Sequence, residues 1–161
     1  MKVGQGYDVH ALGVPGSASV IRLGGTDIPF DRVVIAHSDG DVLIHALCDA
    51  ILGALAIGDI GTHYPDSDAS FANIDSRKLL VDVAERARAL GYIVANADTT
   101  VIAERPKLAP FIEQIRTVMS SDLGIDPACL SVKATTTERL GFIGRGEGIA
   151  AQAIVLLRPV S

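Results

Sequence analysis

The chain has 161 residues, 48% of them hydrophobic and 20% charged, with a net charge of −5. That length suits one domain able to bury roughly two thirds of its unfolded surface, and the composition excludes a disordered or fibrous chain. The acidic balance, with three Tyr, four Phe and no Trp, offers nucleic acid neither a basic field nor a stacking platform, and no apolar run reaches the ~20 residues of a membrane helix.

The N-terminus MKVGQGYDVH has neither the basic start nor the apolar block of a signal peptide. A cytoplasmic location follows as an expectation, with Cys48 and Cys129 as buried thiols rather than a disulfide. An acidic chain can still bind an anionic substrate where metals or local Lys and Arg reverse the field.

Residues 2–10 (KVGQGYDVH) alternate with the period of a strand, which sets Asp8 and His10 on one face. They are either two metal-competent side chains or a polar strand edge. ALGVPGSAS reads as a loop, and VIRLGGTDIPF as two short strands around Gly24-Gly25. Ser38 in the N-cap position, with Asp41 three residues on, predicts a helix from about Asp39 to Ile57 that stops at Gly58. His45 and Asp49 lie four apart on this otherwise apolar helix and share a face. Burying them requires partners: each other, a metal or a ligand.

GDIGTHYPDSDASFANID lacks periodicity and reads as a long loop of the kind that carries function, with His63 solvated. Asp75 or Ser76 caps a second helix, RKLLVDVAERARAL, with an apolar stripe closed by Gly91. YIVANADTTVIAE has strand composition, RPKLAP is a turn, and Pro110 leads into a third helix, FIEQIRTVMSSDL, ending at Gly124. LSVKATT is a strand, TERLGFIGRGEG a glycine-rich loop and IAAQAIVLLR a final strand.

The pattern predicts an α/β (α+β) sandwich in a single domain, 1–161: one mixed sheet of four to five strands with helices on one face. The last strand reads as apolar on both sides, so the bare face should pack against copies of itself in a symmetric oligomer.

Three features bear on chemistry. Asp8, His10 and His45 could give zinc three ligands and leave a fourth position open, the arrangement of a catalytic site. Residues 133–138 (KATTTE) and GRGEG offer hydroxyls, backbone N–H groups and Arg145 to phosphate oxygens, with Glu138 available to a hard cation, or else form a plain turn. ERPKLAP joins Lys107 to a stiff backbone able to bond a base edge, or is a surface turn. Neither a Walker pattern nor a G-x-S-x-G elbow occurs, which removes the ordinary NTPase and serine hydrolase readings.

Taken in order, GYDVHAL, AHSDGDVLIHAL, GDIGTHYPD, DSRKLL and KATTTERLGFIGRGEGIA closely resemble the 2-C-methyl-D-erythritol 2,4-cyclodiphosphate synthase family of the non-mevalonate isoprenoid pathway, over essentially the whole chain. The resemblance implies conversion of 4-diphosphocytidyl-2-C-methyl-D-erythritol 2-phosphate to the cyclic diphosphate with release of CMP. It assigns Zn²⁺ to Asp8, His10 and His45, and a second cation, Mg²⁺ or Mn²⁺, to the diphosphate with Glu138. His37 and Thr136 match the residues that stabilise and align the transition state, and Ser38 a phosphate contact; Asp49 is expected to orient a histidine.

By the same likeness Asp59, Ile60, Gly61 and the loop Tyr64, Pro65, Asp66, Ser67 and Asp68 hold the methylerythritol portion. Ala103, Glu104, Arg105, Pro106, Lys107, Leu108 and Ala109, with Thr135, Thr136, Thr137 and Glu138, form the CDP pocket, where cytosine is read mostly by backbone groups. Leu108-Ala109 departs from the bulkier pair of the family, and Thr62-His63 matches no motif position. The resemblance implies a homotrimer with active sites at subunit interfaces, and places Phe142, Arg145 and Glu147 near a threefold axis where some members bind an isoprenoid diphosphate. Two rival readings use the same residues: a zinc phosphohydrolase that activates water, and a trimeric isoprenoid-diphosphate binding protein with an idle site.

Overall fold

A computed structural model of the chain describes every residue except Asp66, Ala69, Ser70, Ala72 and Ser161. In chain order its elements are β1 (Lys2–Leu12), β2 (Val20–Leu23), β3 (Thr26–Pro29), β4 (Val34–Ile35), α1 (Val42–Leu55), α2 (Ile60–His63), α3 (Ser76–Ala89), β5 (Tyr92–Ile102), α4 (Ile112–Leu123), β6 (Leu130–Thr135), α5 (Gly141–Gly144) and β7 (Gly148–Pro159). The main sheet runs β4-β1-β7-β5-β6, and β2 pairs with β3 in a separate hairpin. β7 is antiparallel to both neighbours, β1 and β5, whereas β5 and β6 are parallel because the connection through α4 crosses over. The α+β architecture, a mixed sheet with helices on one face, is the one the sequence pattern predicted.

β7 shows how the layers form. Ile149, Ala151, Ala153, Val155 and Leu157 alternate along the strand and are buried in the core beneath the helices. The intervening Gln152 and Ile154 are exposed on the opposite side, so that side of β7 is not wholly apolar. Val3, Tyr7 and Val9 of β1 extend the same open face, all exposed.

The packing of α1 on β1 decides where the functional side chains go. Ala46, Ala50 and Ala54 form an i, i+4 row on the helix and are buried. Facing them, Gly4 and Gly6 present bare backbone; a methyl group on either would lie 1.9 Å from the Ala50 or Ala46 carbonyl oxygen. Two glycines two residues apart thus let the helix settle onto the strand. Asp8 and His10 continue the inward face of β1 and meet α1 one turn further along.

Several expected boundaries shift for physical reasons. Asp41, not Ser38, caps α1: its buried carboxylate accepts from Ile44 N at 3.1 Å and also from Gly24 N and Gly25 N at 2.9 and 2.7 Å, tying the β2–β3 turn to the helix start. Burial pushes the Asp41 carboxyl above its ordinary pKa, against the pull of those three N–H groups. The helix ends at Ala56, which takes the left-handed conformation at φ 60°, before Gly58 is reached. The expected loop contains α2, capped by Asp59, whose carboxylate accepts from Thr62 N at 2.8 Å. His63 is not a solvated loop residue: it is half-buried, and its Nε2 donates to Ile57 O at 2.8 Å. Asp75 caps α3, with Ser76 its first residue. Both cysteines are free; Cys48 is buried and Cys129 only partly so.

Candidate active site

Asp8 and His10 leave β1 on the helix side, and His45 comes down from the first turn of α1 to meet them. Asp8 Oδ2 lies 3.1 Å from His10 Nε2 and 3.0 Å from His45 Nδ1, and the two ring nitrogens are 3.1 Å apart. Three N and O donors at these separations nearly match the ~3.3 Å edge of a tetrahedral zinc site with ~2.05 Å bonds. The triad therefore fits a divalent metal, and it is the group of its kind found among the described residues.

The electrostatics agree. Burial alone would raise Asp8, but hydrogen bonds from His10 and His45 and their charges outweigh it and hold the carboxyl well below the usual range. Burial disfavours a charged His45 imidazole, yet Asp8, with smaller contributions from Asp41 and Asp39, raises its pKa above the ordinary value. The cluster is an anion between two imidazoles, ready to exchange protons for a cation.

The triad opens into a concavity of about 370 Å³ that is also lined by His37, Ser38, Ile60, Gly61, Tyr64 and Asp68. Ser38 Oγ lies 3.3 Å from His45 Nε2, and His37 is exposed beside it. Tyr64 stands edge-to-face on Phe71, its hydroxyl donates to Asp82, and Arg86 stacks over its ring. Burial first, then the Asp82 carboxylate, pushes the Tyr64 phenol up. Pro65 is half-buried and Ser67 exposed, Asp59 is exposed and engaged with Thr62, and Asp66 lies outside the described residues.

The remaining predicted residues gather elsewhere. Glu104, Arg105, Pro106 and Lys107, with Arg139 and Arg145, line a second concavity of about 1050 Å³ that shares no lining residue with the first. Ala103 and Leu108 are buried, and Ala103 N donates to Thr135 O at 3.0 Å, so at these two positions mainly backbone is left for a ligand. Ala109 is exposed at the start of a short 3-10 turn. Thr136 Oγ1 and Glu138 Oε1 are 3.2 Å apart. Phe142 is exposed, and Arg145 is held by Glu147 through two bonds of 2.8 and 3.0 Å.

Three features escaped sequence reasoning. Asp49 accepts from Ile60 N at 2.8 Å, so the hydrogen bond it makes anchors α2 rather than a histidine ring. The far nitrogen of His45 instead meets Ser76 Oγ at 2.9 Å, and Ser76 in turn meets Asp39. Glu104 Oε1 accepts from Thr137 N, Thr137 Oγ1 and Arg139 N at 3.0, 3.3 and 3.1 Å. Those bonds, Arg139 N–H foremost, lower the Glu104 pKa. They fasten a turn in which Glu138 and Arg139 both adopt positive φ, 53° and 64°, a costly conformation for residues with side chains.

A model of the YgbB family matches residues 1–158. A curated relative from Geobacter metallireducens, named 2-C-methyl-D-erythritol 2,4-cyclodiphosphate synthase, is 55% identical over 157 residues, 98% of each chain. One of the same name from Vibrio cholerae is 52% identical over 158 residues, again 98% of each. Among solved structures, IspF of Plasmodium falciparum in complex with CDP superposes with a TM-score of 0.86 at 36% identity, covering 99% of this chain and 97% of that one. The bifunctional IspDF of Campylobacter jejuni superposes with a TM-score of 0.93 at 42% identity; the match takes in 99% of this chain and 42% of that longer one.

Proposed function

This chain belongs to the YgbB family and acts as a 2-C-methyl-D-erythritol 2,4-cyclodiphosphate synthase, a cyclising phosphorus–oxygen lyase of the non-mevalonate isoprenoid pathway, and we propose that residues 1–161 do so as a single domain with the triad as its centre. The substrate is 4-diphosphocytidyl-2-C-methyl-D-erythritol 2-phosphate. An oxygen of its 2-phosphate attacks the β-phosphorus, the bond from that phosphorus to the bridging oxygen of the α-phosphate breaks, and CMP leaves. The nucleophile is already anionic near neutral pH, so the chain needs no general base; its task is to bring like charges together and to bind the charge that grows on the leaving group.

Asp8, His10 and His45 would hold Zn²⁺, and Glu138 would help to hold a second cation, Mg²⁺ or Mn²⁺, for the diphosphate. Such ions supply positive charge to phosphoryl oxygens. His37 and Ser38 line the smaller concavity together with the triad, where they orient the attacked phosphate. Ile60, Gly61, Tyr64, Asp68 and the neighbouring Asp59, Pro65 and Ser67 enclose the methylerythritol portion, a role that Asp66 shares by resemblance alone. Thr136 aligns the diphosphate, and Ala103–Ala109 with Thr135–Glu138 take up CDP. That the similar Plasmodium falciparum structure is a CDP complex supports CDP as a ligand.

The separation of the two concavities supports the further proposal that one site is shared between subunits of a homotrimer, whose contact surface is the open sheet face with Val3, Tyr7, Val9 and Ile154. In it Phe142 and Arg145 lie near the axis, where an isoprenoid diphosphate could bind. A cytoplasmic location goes with this reading, and no helix of the described residues is long and apolar enough to cross a membrane.

The observation that carries the reading is the triad itself, three donors within 3.1 Å of one another at the floor of a concavity. Incubating the purified chain with the CDP substrate and Mg²⁺ tests it. Cyclic diphosphate with equimolar CMP is the expected result; an uncyclised phosphate product points to a phosphohydrolase, and absence of turnover to a binding protein.

A further inference from the structure

His45 has two ring nitrogens, and only Nδ1 faces the triad. Nε2 points the other way, 2.9 Å from Ser76 Oγ. The Ser76 hydroxyl proton is already committed, since Oγ donates to Asp39 Oδ1. A hydroxyl that donates to a carboxylate can only accept from its other neighbour, so Nε2 carries a proton, which Ser76 Oγ, nearer than Ser38 Oγ at 3.3 Å, accepts. The proton that a cation displaces is then the one Nδ1 shares with Asp8 Oδ2, and its loss leaves the Nδ1 lone pair for the metal.

We infer that Ser76 and Asp39 are positioning residues that fix the tautomer and angle of the His45 ring through a relay, Nε2–H to Ser76 Oγ and Ser76 O–H to Asp39, so that Nδ1 is presented for metal. This rests on the metal reading of the triad given above and extends it to residues that reading leaves without a role.

Two features distinguish the relay from ordinary helix capping. The cap of α3 is Asp75, whose carboxylate accepts from Arg77 N at 3.0 Å, so the Ser76 side chain is not needed to start that helix. Yet Ser76 is fully buried, and its hydroxyl oxygen serves His45. Asp39 meanwhile accepts from Ser76 N at 3.0 Å through its second oxygen. One carboxylate therefore grips both the backbone and the side chain of Ser76. It thereby fastens the segment bearing His37 and Ser38 to the start of α3. Partners of this kind behind a ligating histidine hold the ring in place and raise its basicity.

Two substitutions test the relay with readouts other than turnover. Ser76→Ala removes the acceptor. Asp39→Asn is nearly isosteric: with its amide oxygen kept on Ser76 N, its NH₂ faces Ser76 Oγ, and the serine proton turns toward His45 Nε2, favouring the wrong tautomer. Zn²⁺ affinity, measured by chelator competition, should fall about 10- to 100-fold in both. In ¹⁵N–¹H spectra of the Zn²⁺-loaded wild type, His45 should show a slowly exchanging Nε2–H that is lost in Ser76→Ala while the His10 signals persist.

Wild-type affinity, within about twofold, in both variants together with an unchanged His45 signal would overturn the relay while leaving the metal reading intact. A wild-type chain that takes up no metal at all would overturn both. If Ser76→Ala does not fold, Asp39→Asn alone carries the test on the same two readouts.

Discussion

Gly6 lies so close beneath Ala46 that a Cβ on the glycine would stand 1.9 Å from the Ala46 carbonyl oxygen. His45 is the next residue up the helix, so this contact sets the height at which its imidazole meets Asp8. Gly6→Ala should lift α1 off β1, costing about 1–3 kcal/mol or more of stability and loosening metal uptake. Gly53→Ala is the control within the same helix. Its added methyl would meet nothing nearer than Gln5 O at 3.9 Å, and replacing a helical glycine should stabilise by about 0.5–1 kcal/mol. Urea unfolding of the two variants should move in opposite directions.

His45→Ala should abolish zinc retention and cyclisation together, because two donors on one strand cannot complete the site. Metal content of the purified variant, read beside CMP release, checks this; retained zinc with full turnover would refute it.

Metal uptake should depend on pH in a defined direction. Asp8 raises the His45 pKa, so below that raised value the metal-free chain carries a proton which the metal must displace. The Asp8–His45 pairing stabilises the metal-free fold fully below about pH 6.5, the ordinary histidine value, and that contribution is lost as pH rises through the raised pKa. Its lower limit is set by Asp8, whose depressed carboxyl must protonate before the pair is lost in acid. Zinc affinity runs the other way, rising with pH and levelling off above the His45 pKa. Calorimetry in buffers of different ionisation enthalpy should show proton release on binding that shrinks as pH increases.

Glu104→Gln should leave the triad and its metal untouched while relaxing the turn at Glu138 and Arg139. The carboxylate accepts three hydrogen bonds there, and an amide oxygen replaces them with weaker ones. Displacing Thr136 and Glu138 from alignment should lower kcat/KM on the order of 10- to 100-fold. Steady-state kinetics with a parallel zinc assay separate this from damage to the metal site.

Lys107→Ala should weaken CDP binding with metal content unchanged, since Lys107 lines the larger concavity and the triad opens into the other. Titration of CDP measures it; unchanged affinity would remove Lys107 from the pocket.

Much of this was legible in the chain itself. Period two placed Asp8 and His10 together, and the apolar helix carrying His45 was evident from its residues. What the letters did not carry was direction in space. Asp49 shares a helical face with His45, but spacing cannot say that its carboxylate turns to Ile60 N. Ser76 looked like one of two possible caps; only the fold brings it 31 positions back to His45. The capping signal at Ser38 was misplaced because Asp41 has three N–H partners, two of them from a hairpin far earlier in the chain. Long-range partners override local rules whenever a buried carboxylate must be satisfied.

The strand order has a consequence for how the molecule is made. β7, the last of these strands in chain order, is the middle of the sheet, and residues 2–11 pair with 148–157. Asp8 and His10 precede most of this domain in the chain, but their strand lacks its central neighbour until residues 148–159 have followed. Contacts so distant in sequence form slowly, because the loop between them must close first. Assembly of the metal centre thus waits on β7, and a product cut short before β7 lacks the strand that backs Asp8 and His10.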